Sequence, residues 1–154
     1  MKWLYGLITN RILISAVAGW FVAQLTKMII EICKGTFSVK RLTGSGGMPS
    51  THSSTVCALA TACGIVEGSH SGVFVVAVFM AFIVMYDAMG VRYATGRNGK
   101  MLNELNQRLK EEGKEPISDE VLPEKMGHTL PEIIVGAVLG IVIACLVCLV
   151  FMKA

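Results

Sequence analysis

Charge is scarce in this chain. Only 16% of its 154 residues are Asp, Glu, Lys or Arg, and the formal net charge is +3. That excess is too small to mark a nucleic-acid partner, and no basic run with interleaved aromatics supplies one locally. Thiols are few as well. Cys33, Cys57, Cys63, Cys145 and Cys148 all lie in apolar segments. Cys145 and Cys148 have CxxC spacing, but no second thiol pair accompanies them, so a disulfide or metal framework is not expected. The chain has no internal repeat and no low-complexity tract. The first apolar stretch lacks a convincing cleavage site and contains Lys27 and Glu31, so it reads as a retained span rather than a signal peptide.

Apolar residues fill the space that charge leaves. The chain is 53% hydrophobic with a mean hydropathy of +0.61, more than a soluble domain of this length readily hides. The sequence predicts one membrane-embedded domain over 1–154, an all-α polytopic bundle. Four apolar stretches stand out, at about Ile12–Cys33, Ser53–Val66, Val73–Met89 and Ile133–Met152. About 20 helical residues cross a hydrocarbon core, so the first and last satisfy the length. The second does so only if its helix runs from near Ser50 to about Gly68. The third extends past Asp87.

Between the second and third stretches, the turn Glu67–Gly72 predicts a helical hairpin, with Gly68 and Gly72 at the stop and restart and His70 as a solvated loop residue. Between the third and fourth, Met101, Leu102, Leu105 and Leu109 share one helical face. They predict an amphipathic helix along the membrane interface or against the bundle. Glu112–Pro116 ends it, and Ile117–Lys125 is a mixed-charge loop. Four spans place Lys40, Arg41, Arg92 and Arg97 on one side and both termini on the other. The positive-inside rule then puts the former side in the cytoplasm of a multi-pass cell-membrane protein.

On that same side stand two polar boxes, each immediately before an apolar run. The first is Gly46-Gly47-Met48-Pro49-Ser50-Thr51-His52-Ser53-Ser54. Its glycines free the backbone, and Pro49 or Ser50 suits a helix start. The amides of Ser50, Thr51 and His52 would form an anion cradle at that start, with the hydroxyls of Ser50, Thr51 and Ser53 beside it. His52 can donate a proton at neutral pH. The plainer alternative is a Gly-Pro turn leading into a Ser-capped helix. The second box is Gly127-His128-Thr129-Leu130-Pro131-Glu132. Glu132 can reach back to hold one nitrogen of His128 and leave the other a better nucleophile. Alternatively, Thr129 to Glu132 is a capping box that serves only the helix start.

Two further sets lie near the boxes. Gln24, Lys27, Glu31 and Lys34 share a face of the first span. Either Lys27 and Glu31 form a structural ion pair with Lys34 snorkelling, or Lys27 or Lys34 clamps substrate oxygens. Asp87 and Arg92 close the third stretch as an orienting carboxylate and a bidentate phosphate ligand, or as interfacial anchors. In the fourth span, Gly136 and Gly140 form a GxxxG pair that allows close helix approach, within the chain or between copies. Together the boxes and these charges suit phosphoryl transfer at the membrane surface: an anion clamp, a nucleophile and a proton donor.

The boxes resemble motifs of the type 2 phosphatidic acid phosphatase superfamily, which includes vanadium-dependent haloperoxidases. Pro49-Ser50-Thr51-His52-Ser53 is similar to its PSGH motif, and His128 to Glu132 to the HxxxD end of its last motif. The series Ser45–Ser53, Asp87–Arg92 and Gly127–Glu132 resembles the SGGMPSxHS, DAxGVR and GHxxxE pattern of the divergent branch, over nearly the full length. The resemblance implies attack on phosphorus by His128, oriented by Glu132 in place of an aspartate. It also implies protonation of the leaving oxygen by His52, phosphate held by Ser50 and nearby amides, and no metal or other cofactor. The substrate implied is a lipid phosphate or pyrophosphate; the alternative is a non-catalytic relative that binds, senses or moves a phosphorylated lipid. The chain departs from the pattern at Lys34, where the superfamily has arginine followed by proline. It departs again at Leu122, where the superfamily has arginine six residues before its histidine.

Overall fold

A computed structural model describes residues 2–35 and 46–152. Lys40, Arg41 and Ser45, which entered the topology and motif readings, lie outside the described residues. The described residues form six helices and no strand: α1 (Lys2–Ile8), α2 (Arg11–Cys33), α3 (Thr51–Val66), α4 (Gly72–Met89), α5 (Val91–Glu111) and α6 (Leu130–Met152).

Local chemistry sets the helix ends. Asn10 caps α2, its side chain accepting from the amides of Ile12 and Leu13 at 3.0 and 3.1 Å. Ser50 caps α3 and Ser71 caps α4 in the same way. Among the described residues, three helices are long and apolar enough to cross a membrane: α2, the α4–α5 helix and α6. α3 has 16 residues, about 24 Å of rise, and falls short of the hydrocarbon thickness.

α3 is nonetheless the axis of the bundle, with α2, α4 and α6 packed around it. Its composition explains this. Ser53, Ser54, Cys57, Ala58, Ala60, Ala62 and Cys63 are all buried, and small side chains let neighbouring backbones approach closely. Ala144 and Cys148 of α6 close one side of it, and Ala77 and Ala81 of α4 close another. Gly19 of α2 lies against Ala58, and its carbonyl accepts from Ser54 Oγ at 2.8 Å.

Gly136 and Gly140 face the Ser50 and Ser54 carbonyls of this same axis, where a Cβ would clash with backbone. The GxxxG pair therefore serves α3–α6 packing inside the chain, and its buried face is not presented to a second copy. All five cysteines are free, with Cys148 buried beside Ser15.

The amphipathic helix forms as α5, but its apolar side is not the covered side. Met101 is 64% exposed, and Leu102 and Leu105 are exposed as well. The covered side carries Gly96, Gly99, Asn103 and Asn106, which hold the 117–126 loop. Of the two placements expected for this helix, the one against the bundle is not seen: the 117–126 loop covers that side of α5 and is held through its backbone.

Candidate active site

The first box places His52 in the first turn of α3. Ser50 Oγ accepts from the Ser53 amide at 3.3 Å and from Ser53 Oγ at 3.0 Å. Neither serine exposes any surface. Their role is to fix the turn, rather than to present hydroxyls outward as the sequence reading expected. The Ser50 amide is also engaged, donating to the Glu132 carbonyl at 3.1 Å. Of the expected anion cradle, the Thr51 and His52 amides remain, as the first two of a helix with no carbonyl one turn back. Thr51 is half-buried beside them.

The second box hangs between three supports. The His128 amide donates to the Ala88 carbonyl at the end of α4, at 2.9 Å. Gly127 has a φ of +77°, and a Cβ there would clash with the backbone of Tyr93 and Ala88, so glycine is required by conformation and by space. Glu132 supplies the third. Its Oε2 accepts from the Thr129 amide at 2.9 Å and lies 3.3 Å from His128 Nδ1. The capping and orienting alternatives are both realised by one carboxylate oxygen.

The boxes meet. The rings of His52 and His128 stand edge to face with centroids 5.8 Å apart. His128 is buried, at 2% side-chain exposure. An ionised carboxylate only accepts, so its bond to Nδ1 places the proton there and the lone pair on Nε2. That Nε2 and His52 Nδ1 are buried with no hydrogen-bond partner among the described residues. A buried orphan polar atom costs about 1–3 kcal/mol, and here two lie on rings whose centroids are 5.8 Å apart. Burial pushes the His128 imidazole below its ordinary value of 6.5; Glu132 opposes this and Lys27 reinforces it. The ring is therefore neutral near pH 7.

Cations border the pair. Lys27 is 7% exposed and lies against the Gly47 backbone; a Cβ on Gly47 would sit 3.0 Å from Lys27 Cε. Gly47 has a φ of +87° and borders the His128 ring, so the first-box loop joins Lys27 to both histidines. Arg92 Nε bonds Asp87 Oδ2 at 2.6 Å across the α4–α5 junction, which leaves the terminal guanidinium nitrogens out of that bond. Lys27, Arg92 and Asp87 all lie within electrostatic reach of His52. Lys34 stands apart from them, exposed at the C-cap of α2.

Sequence reasoning missed the scaffold behind His128. Both ends of the Asn103 amide clasp Leu122, accepting from its N–H at 3.0 Å and donating to its carbonyl at 2.9 Å. Asn106 does the same to Ile117 N–H and Ser118 carbonyl, both at 2.9 Å. Gly96 and Gly99 let the 122–126 backbone lie directly on α5, the last stretch before Gly127. The signal was the spacing Gly96, Gly99, Asn103, Asn106, which puts two glycines and two amides on one face.

A family model described as the divergent PAP2 family matches residues 8–143. A Bacillus subtilis (strain 168) protein named "Uncharacterized membrane protein YuiD" is 33% identical over 156 residues, covering 95% of this chain and 99% of that protein. No solved structure matches the chain.

Proposed function

The chain belongs to the divergent PAP2 family, and from that premise we propose that it is a membrane phosphatase acting on a lipid phosphate or pyrophosphate. The observation that carries this reading is the state of His128. Glu132 holds Nδ1, while Nε2 is buried without a hydrogen-bond partner among the described residues, on a ring whose centroid is 5.8 Å from that of a second imidazole. That is the arrangement an activated nitrogen nucleophile needs.

In this mechanism His128 Nε2 attacks phosphorus and the P–O bond to the leaving group breaks. Burial and the neighbouring cations keep His52 neutral at rest; it takes the proton of the head group's P–OH on binding and passes it to the leaving oxygen. Lys27 and the free face of Arg92 balance the charge on the equatorial oxygens, with the first amides of α3. Water, deprotonated by His52, then attacks phosphorus and releases phosphate from His128. Isoprenoid and glycerolipid phosphates are the natural substrates, because the pair sits where a helix of the bundle begins. We place the protein in the cell membrane with this face cytoplasmic.

A second reading is binding without turnover, and it has its own support. Lys34 stands outside the site, and Leu122 occupies the place of a superfamily arginine with its backbone committed to Asn103. Assay of the purified protein on phosphatidic acid and prenyl pyrophosphate micelles, with chelator present, separates the two. An enzyme releases phosphate, and with radiolabelled substrate the protein quenched in alkaline denaturant carries label on His128. His128→Ala should drop the rate by on the order of a millionfold, to background. Full activity in that variant sinks the nucleophile assignment. A rise in melting temperature with lipid phosphate and no turnover would favour the binder.

A further inference from the structure

α2 and α4 both pack on α3, and between them a crevice of about 650 Å³ remains. It is lined by Ile12 of α2, Leu59 and Cys63 of α3, and Val73, Val76 and Met80 of α4. Its floor belongs to the same face of α3 as the candidate nucleophile's partner. His52, Val56, Leu59 and Cys63 are spaced four, three and four residues apart, which is one helical stripe. The first three of these are half-buried, and the crevice takes up the stripe at Leu59 and Cys63. By helical rise the stripe covers about 16 Å. At one end it carries an imidazole within electrostatic reach of Lys27 and Arg92. At the other end every lining group is apolar. A surface charged at one end and apolar at the other fits a molecule built the same way.

We propose that this crevice seats the hydrocarbon chain of a lipid phosphate whose head group lies at the His52–His128 pair. The proposal rests on the function proposed above and adds the place and direction of the tail. The chain leaves one apolar medium for another, so its burial contributes little drive. The head group supplies affinity, and the crevice selects by shape, through packing against Leu59, Val76 and Met80.

Fluorescence quenching tests this in the full chain with Trp3→Phe and Trp20→Phe. A single tryptophan is introduced by Met80→Trp at the crevice rim or by Val138→Trp on the exposed face of α6. Both native residues are substantially exposed, so a larger side chain is accommodated. Met80 lies nine residues before Met89, and Val138 eight after Leu130, so their depths match at about 12–14 Å. The probe is a monoalkyl phosphate brominated along its chain, in detergent micelles, with the brominated alcohol of equal length as control.

The expected result is a saturable loss of emission in Met80→Trp that exceeds the loss in Val138→Trp, reversed by unbrominated alkyl phosphate. Equal quenching at the two positions overturns the crevice assignment, even if alkyl phosphate still raises the melting temperature. If the alcohol quenches Met80→Trp as strongly as the phosphate does, the crevice stands and the phosphate reading of the histidine pair falls.

Discussion

The two imidazoles are held by different means. His52 rides on a helix wedged among glycines, alanines and serines, where backbone lies on backbone and nothing can grow. His128 hangs from a loop, fixed by discrete hydrogen bonds to Ala88, Glu132 and, through Leu122, to Asn103. The first half resists change by volume and the second by polarity. A substitution that adds atoms should damage the first half most, and one that removes a donor or acceptor should damage the second.

The sharpest contrast is within the second half, at Glu132→Gln. Glutamine keeps the cap on Thr129 but cannot act as the charged partner of His128. We expect phosphate release to fall by about 10³- to 10⁴-fold, as when a triad carboxylate is neutralised, with the melting temperature nearly unchanged. Loss of stability with activity retained would assign Glu132 to the cap alone. Next in size is Gly140→Val, which drives a side chain into the Ser54 backbone. It should cost about 3 kcal/mol, at the upper end for overpacking, read as a lost or strongly lowered thermal transition. A mild effect would mean that the bundle half yields as readily as the loop half.

Asn103→Ala removes both ends of the Leu122 clasp. It should cost about 1–2 kcal/mol, since the clasp is only part-buried, and it should lower turnover without abolishing it. The smallest effect is on pH. The His128 imidazole is depressed in the folded chain, so the unfolded chain binds a proton first as pH falls. Stability from this group is complete above about 6.5 and is lost as pH drops through the folded value. His128→Asn should flatten that acid slope in a melting-temperature series. An unchanged slope would assign it to other groups.

Much of this architecture is legible in the sequence, for reasons of period and punctuation. Apolar runs, serine caps and the Gly68 turn are local signals, and the helices follow them. Alternation of the spans puts His52 and His128 on one side of the bundle, and the similarity of the two boxes to known motifs implies that they work as a pair. The rest depends on what lies opposite. Gly136 and Gly140 signal close approach but cannot name the neighbour, which is α3. Lys27 and Lys34 share a face, and only the Gly47 loop distinguishes them. Asn103 and Asn106 look like solvent-facing positions on an amphipathic helix. An irregular loop has no period by which to show that it will use them.

Glu132 links the two halves twice, its side chain touching His128 and its carbonyl taking the Ser50 amide. The gap between the rings is therefore written into one turn of α6. Bilayers of different thickness tilt whole helices at modest cost, yet this one residue ties both rings together. Their spacing should therefore change less than the tilt of the helices when the bilayer changes.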